Sequence, residues 1–363
     1  MSSFTRYPAL LRATVAATFL AAPGTSLLAD SSAQLDSNSP VRAVFTACHD
    51  RFGCEPWITD GTREGTELLR NLRRDLTNSP PLQNSGWPHY ISDLGDGRIA
   101  FTASHRTAAG HVSWEPFISD GTRENTSLVR RIGESGTSPR GYTGLGDGRF
   151  IFTGRNPDRG WAPCIWVSDG SRRSTTPVVC SDWHPHLPNG FARLREGEAI
   201  FSMNDGRRGW ELWITDGTRA GTRIVQNLTG DDRSSTPQEI VQLADGLAFF
   251  IASAGMLREL WVTDGTRRGT LQLTEIPSST VDNRPKHLTA IGGGRALFNA
   301  NFQLWITDGT PEGTHPLPDD RTRVTPGGPM DFTPLGDGRV CSPPILCRTS
   351  AFISGSAMEQ RAG

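Results

Sequence analysis

Glu211-Leu212-Trp213-Ile214-Thr215-Asp216-Gly217-Thr218-Arg219-Ala220-Gly221-Thr222 recurs almost unchanged as Glu259-Leu260-Trp261-Val262-Thr263-Asp264-Gly265-Thr266-Arg267-Arg268-Gly269-Thr270. Four further copies put the same turn aspartate at Asp60, Asp120, Asp169 and Asp308, and successive aspartates are 60, 49, 47, 48 and 44 residues apart. A period near 47 residues means that one supersecondary unit is repeated, so the chain is to be read as an array.

A second phrase lies between copies of the first: Leu94-Gly-Asp-Gly-Arg98, Leu145-Gly-Asp-Gly-Arg149, Leu194-Arg-Glu-Gly-Glu198, Leu243-Ala-Asp-Gly-Leu247 and Ile291-Gly-Gly-Gly-Arg295, with a partial copy from Leu335. Asp-Gly between apolar runs signals a hairpin, because both tight-turn positions tolerate φ > 0. Each unit then yields four strands. The first ends at the Leu before the turn and the second just past the Phe. The third carries Glu-Leu-Trp-Ile-Thr, and the fourth follows the second Gly-Thr. No stretch has a helical period. The expectation is an all-β chain, a β-propeller of seven four-stranded blades, with six or eight as alternatives. The first unit lacks a clear first strand and the last a clear fourth. This staggering predicts ring closure, with residues 31–40 pairing beside the last blade and Phe352–Ser356 as a decayed third strand.

The twelve-residue phrase resembles that of the bacterial ELWxxDGT repeat proteins over roughly residues 41–318, and more weakly to 356. Phe117 stands where Trp is expected, Ser171 replaces Thr, and Asn125 and Ser174 replace Gly. The blade pattern is also similar to the propeller of TolB-like periplasmic proteins. The resemblance implies a secreted propeller-type fold and supplies no catalytic residue.

Arg6, Arg12 and the apolar run Ala13–Ala22, followed by small residues, read as a secretory leader ending at Ala29. Residues 1–29 are therefore expected to be a signal peptide and 30–363 a single propeller domain, monomeric, periplasmic or extracellular, with no transmembrane span once the leader is gone. Six cysteines suit that compartment and fall into three local pairs, Cys48 with Cys54, Cys164 with Cys180 and Cys341 with Cys347, expected as disulfides. The net charge of −1 gives no footprint for nucleic acid.

The repeated Asp and Thr have a local reading: Asp accepts hydrogen bonds within its own turn, Gly takes φ > 0, and Thr hydroxyls bond nearby backbone. One carboxylate per turn is too few for calcium. Trp57, Trp166, Trp213, Trp261 and Trp305 are expected to pack between blades. Trp-docked propellers also occur among quinoprotein dehydrogenases, but their phrase differs, and neither a cofactor nor a metal is expected.

Function is expected where the repeats differ. A proline precedes each first strand, at Pro88, Pro139, Pro188, Pro237, Pro285 and Pro329. The residues after it are His89, Arg140, Asn189, Gln238, Lys286 and Met330, and the next ones are Tyr90, Gly141, Gly190, Glu239, His287 and Asp331. This varied polar ring, carrying the only lysine, should line one mouth of the central channel as a candidate ligand site. The Ser104–Ser113 loop is a second candidate surface, and His184 and His186 share an inter-blade loop. The expected role is binding an envelope or extracellular protein or glycan. The alternative is a hydrolase or lyase using His89, Glu239, Lys286, His287 and Asp331. No nucleophile-elbow, zincin or P-loop motif is present.

Overall fold

Leu194-Arg-Glu-Gly-Glu198 turns the chain between Asn189–Arg195 and Glu198–Asn204, with Gly197 at φ 78°. Trp210–Thr215 pairs with the second of these strands, and Arg223–Gln226 covers the outer edge. This is blade four of a computed structural model that describes residues 13–20, 42–72, 85–317, 333–334 and 340–341, apart from 107–110, 134–135, 183–185, 231–232, 256, 277–283 and 302. Six four-stranded antiparallel sheets of this kind follow one another, each with its strands in chain order. Inner strands of successive blades adjoin, which makes the fold an all-β propeller. The single helical element among the described residues is the 3-10 turn Pro157–Arg159.

Both faces of each blade are buried, and consecutive residues serve opposite neighbours. Phe201 packs with Leu145, Ile151 and Ile165 of blade three, whereas Ile200 packs with Ile240, Ala248 and Phe250 of blade five. This alternation is the two-residue side-chain period of a strand. It explains why the second strands read as continuous apolar runs. Trp213 lies in the interface with blade three, Trp261 in that with blade four and Trp166 in that with blade two. Trp305 packs against the blade five–six cluster. Phe117 fills the same place between blades one and two, stacked 5.6 Å from Phe101. Trp57, in blade one, is half-buried, 6.1 Å from the His49 ring.

The Asp-Gly-Thr turn is a closed hydrogen-bond circuit. In blade four the Thr218 N–H and hydroxyl both donate to Asp216 Oδ1 at 2.7 Å, Gly217 N–H donates to Thr215 Oγ1, and Gly221 N–H donates to Thr218 Oγ1. Thr215 and Thr222 hydroxyls meet at 2.6 Å. The circuit recurs at Asp60, Asp264 and Asp308. Burial raises the Asp216 pKa, but the Thr218 hydroxyl and N–H together outweigh it and hold the carboxyl below its ordinary value. The second glycine is needed for room, since a Cβ on Gly221 would stand 2.2 Å from the Asp216 carboxylate. Where the glycine is replaced, the substitute donates to that carboxylate: Asn125 Nδ2 to Asp120 at 2.6 Å and Ser174 Oγ to Asp169 at 2.5 Å.

The two sequence phrases meet in space. The Arg149 side chain, anchored on Asp147, donates to the Asp216 carbonyl of the next blade at 3.0 Å. Arg98 does the same to Asp169 at 2.9 Å, and Arg195 to Asp264 at 2.5 Å.

The glutamate of the third strand is buried in every blade that has one: Glu55, Glu115, Glu211 and Glu259 are all at most 2% exposed. Each accepts N–H groups from the connection that leads to the next blade. Glu55 takes Leu72 and Gly86, Glu115 takes Ile132 at 2.8 Å, Glu211 takes Leu228 and Ser235, and Glu259 takes Ile276. Burial pushes the Glu115 carboxyl up to about 7, against the bonds from Ile132 and Ser113. Burial likewise raises Glu211 and Glu259. In blade three Cys164 holds this column, disulfide-bonded to its cross-strand partner Cys180. Cys48–Cys54 forms across the blade-one hairpin. The pairing of Cys341 with Cys347 lies outside the described side chains.

Two features differ from the sequence reading. Blade one has an inner strand, Ala13–Leu20, drawn from the stretch read as a leader and paired with Arg42–His49. Its Thr14, Val15 and Thr18 suit an extended strand, and the partner's open edge accepts it. Residues 31–40 and 352–356 lie outside the described residues, and after blade six the described sheet is the two-stranded Thr333–Pro334 with Val340–Cys341. Of the stretch read as the Ser104–Ser113 loop, Ser104–Arg106 and Val112–Ser113 belong to strands, since Ile99–Arg106 and Val112–Ser119 pair through Arg106 and Val112.

Gly221→Ala is expected to destabilise the protein by about 1–2 kcal/mol, because it displaces the Asp216 carboxylate without giving it a donor. Gly221→Ser should cost about 1 kcal/mol less by restoring one, and urea unfolding of the two variants checks the order. Glu115, with its native pKa above the unfolded value, stabilises the fold fully below about pH 4.5 and loses that contribution as pH rises through about 7. The loss is on the order of 3 kcal/mol at most. Glu115→Gln should flatten this part of the stability–pH curve.

Candidate functional site

Each inner strand begins at the residue after a buried proline: His89–Asp93, Arg140–Gly144, Asn189–Arg195, Gln238–Ala244 and Lys286–Gly292. The proline carbonyl is tied to the preceding blade, Pro88 accepting from Thr46 Oγ1 at 2.7 Å and Pro139 from Thr102 Oγ1. The next residue takes a left-handed conformation in all five blades: Tyr90 φ 55°, Gly141 69°, Gly190 65°, Glu239 50° and His287 58°. Each strand correspondingly slips register against its neighbour at that point. A bulge of this kind re-aims side chains. The ring is thus one backbone device repeated five times with different side chains. Two copies are glycine, for which this φ is relaxed, and three are not, at a cost of about 1–2 kcal/mol each.

The ring residues separate into groups. Tyr90, Arg140 and Asn189, from blades two, three and four, line one cavity of about 370 Å³ together with Thr143, Gly190 and Phe191. Arg140 is half-buried, whereas Asn189 and Tyr90 are exposed. His89 sits just behind, its ring edge-on to Trp114 at 4.6 Å and to Tyr90 at 4.7 Å, with Nδ1 2.9 Å from the Trp87 carbonyl. On the far side Glu239 Oε2 accepts the Leu288 N–H of blade six at 2.8 Å, binding two inner strands together. Burial and neighbouring Arg284 lower the pKa of Arg258, and Glu239 opposes them. Gln238, Lys286 and His287 are half-buried. Asp331 and Met330 lie outside the described residues.

No hydrogen bond or ion pair joins His89, Glu239, Lys286 and His287 to one another among the described residues. No group of three or more His, Cys, Asp or Glu side chains gathers for a metal among those residues. Of the paired histidines, His186 faces Trp210 at 6.2 Å and His184 is outside the described residues. Sequence reasoning did not pick out Thr143 and Phe191 as cavity residues. The strand period does not single them out, since Arg140, Gly141, Tyr142 and Thr143 all line the cavity across the register slip of that strand.

No protein-family model matches the chain, and no curated protein matches it. Among solved structures it is similar to TolB from Acinetobacter baumannii, at 16% identity and TM-score 0.38, covering 64% of this chain and 51% of that one. It is also similar to puromycin hydrolase (13%, TM-score 0.45, 76% and 43%) and to prolyl oligopeptidase B from Galerina marginata (11%, TM-score 0.48, 77% and 42%). The chain spans about half the length of these proteins or less. At these scores the likenesses carry no argument about activity, and the fold stands on the six sheets.

His287→Gly should relieve the left-handed strain and stabilise the protein by roughly 0.5–1 kcal/mol, the strain relief exceeding the extra entropy lost by glycine. Thermal unfolding at matched pH checks it. A destabilised variant would show that the imidazole contributes more than the strain costs.

Proposed function

We propose that the chain is an exported, seven-bladed propeller of the ELWxxDGT repeat group that works by binding, with the bulge ring at the channel mouth as its recognition surface. The observation that carries this reading is the ring itself. Five blades present the same backbone bulge with five different pairs of side chains, on a scaffold whose other repeated residues are spent on turns and packing. Variation confined to a rigid, surface-facing position is what a recognition surface requires. A hydrolase or lyase would need at least two of the ring's titratable groups within hydrogen-bond reach. The separation of His89 from Glu239, Lys286 and His287 favours binding over that alternative.

Two disulfides support an oxidising compartment. Among the described residues no helix is long and apolar enough to cross a membrane. Cleavage after Ala29 would remove the inner strand Ala13–Leu20 and open the edge of Arg42–His49. Residues 31–40 are then the segment at hand to cover it as the ring closes. The partner is an envelope or extracellular protein or glycan.

The test is expression of the full chain in a secreting bacterium, followed by mass analysis and capture from envelope extracts. The expected results are a mature chain beginning at Asp30 and a partner retained by wild type and lost by the triple variant His89→Ala, Gln238→Ala, His287→Ala. A chain kept inside with its leader intact would overturn export. Retention unchanged in the triple variant would overturn the ring as the recognition surface.

A further inference from the structure

The geometry points to the cavity between the inner strands of blades two, three and four as a site for an acidic saccharide, a carboxylated pyranose held by Arg140 and stacked on Tyr90. This inference rests on the ring being a recognition surface and adds the ligand class.

Arg140 is half-buried at the head of an inner strand, and its guanidinium has no hydrogen-bond or ion-pair partner among the described residues. None of the residues lining the cavity is Asp or Glu. A cation with no counter-charge beside it can take an arriving anion without first giving up a partner. The guanidinium fork matches a carboxylate with two parallel N–H···O bonds. Arg98, Arg149 and Arg195 of the second phrase, by contrast, are engaged, as Arg98 is with Asp96 and the Asp169 carbonyl.

The second part is Tyr90. A large aromatic residue stands at φ 55° with 49% of its surface exposed, at a position where blades three and four use glycine. The fold therefore tolerates glycine here, and the strained tyrosine is retained at a cost to stability. Strain of this kind at a cavity rim motivates a ligand hypothesis. The ring has an apolar face and a hydroxyl tip, and its negative π-face suits the polarised C–H groups on one side of a pyranose. The Asn189 amide and Thr143 hydroxyl line the same cavity with side-chain donors and acceptors free among the described residues, and they can serve the sugar hydroxyls. The volume of about 370 Å³ is that of a small-ligand cavity. One cation, one stacking ring and several neutral polar groups are the complement of a ligand with one carboxylate, one apolar face and several hydroxyls.

The experiment is calorimetric titration of the mature, oxidised protein with glucuronate, with glucose as the uncharged counterpart and with acetyl-diglycine as a carboxylated peptide. Glucuronate is expected to bind at least about tenfold more tightly than glucose. Arg140→Ala should remove that preference. Tyr90→Gly should weaken glucuronate about three- to tenfold, while raising the unfolding temperature, an opposite pair of effects that a misfolded variant would not give. The saccharide class is overturned by equal binding of glucose, by binding unchanged in Arg140→Ala, by acetyl-diglycine binding in place of glucuronate, or by no heat up to about 10 mM glucuronate. None of these results touches the envelope-capture test, whose variant leaves Arg140 and Tyr90 in place, so the ligand class and the ring can fail separately.

Discussion

Every blade of this protein has two apolar faces and can bury neither alone. Ile200 and Phe201 are adjacent in sequence, both are fully buried, and they are buried against different blades. From that constraint the rest follows. A single unit would expose both sides of its sheet, so stability exists only in the stack, and the stack must close or cap its ends. The two ends of the described array show the strain of this requirement. Blade one takes its inner strand from Ala13–Leu20, far upstream of its hairpin, and the last sheet among the described residues is two-stranded. Both are edges that must be covered, because an open strand edge pairs with whatever is available.

The interblade interface also explains why the repeated polar residues are structural. Arg149 crosses to the Asp216 carbonyl and the Glu115 carboxylate gathers N–H groups of the connection to blade three, so each phrase is fixed by a contact that its own blade does not supply. The turn Asp is bonded by its own Thr, and the buried Glu by backbone N–H groups together with the Ser113, Ser235 or Thr274 hydroxyl. Blade three has lost the Glu and holds Cys164–Cys180 in the same place, a covalent tie between the third and outer strands. A hydrogen-bonded anchor and a disulfide are alternative solutions to one problem, holding the outer strand while the chain crosses to the next blade.

Strand order and hairpin positions were legible because they are written locally: Asp-Gly marks a turn, alternation marks a strand, and the period of about 47 residues repeats both. The cross-strand cysteine pairs Cys48–Cys54 and Cys164–Cys180 were legible for the same reason, being near neighbours across adjoining strands. The bulge was not. Gly141 and Gly190 hint at a left-handed position, but Tyr90, Glu239 and His287 conceal it, because none of these three residue types announces a positive φ. The role of the third-strand glutamate was missed too, although it opens the repeated phrase. Its backbone partners Leu72, Ile132 and Ile276 each lie 17 residues further on and leave no mark in side-chain pattern. The inner strand of blade one was hidden by composition: an apolar run that suits a leader also suits a buried strand.

What the fold leaves free is narrow. At the bulge the backbone is fixed and the side chain is not, so residues there can diverge without loss of the blade. Their electrostatics then differ by place. Glu239 is committed to the Leu288 N–H and helps hold blades five and six together, so its charge is engaged by the scaffold. Arg140 has no such commitment among the described residues and shares a cavity with the strained, exposed Tyr90. A ligand approaching the mouth meets a ring that is chemically asymmetric although its backbone is nearly symmetric. The unengaged cation and the aromatic face lie together on the side of blades two to four. What the proposed recognition surface has to work with is set by which bulge positions the packing has left unspent.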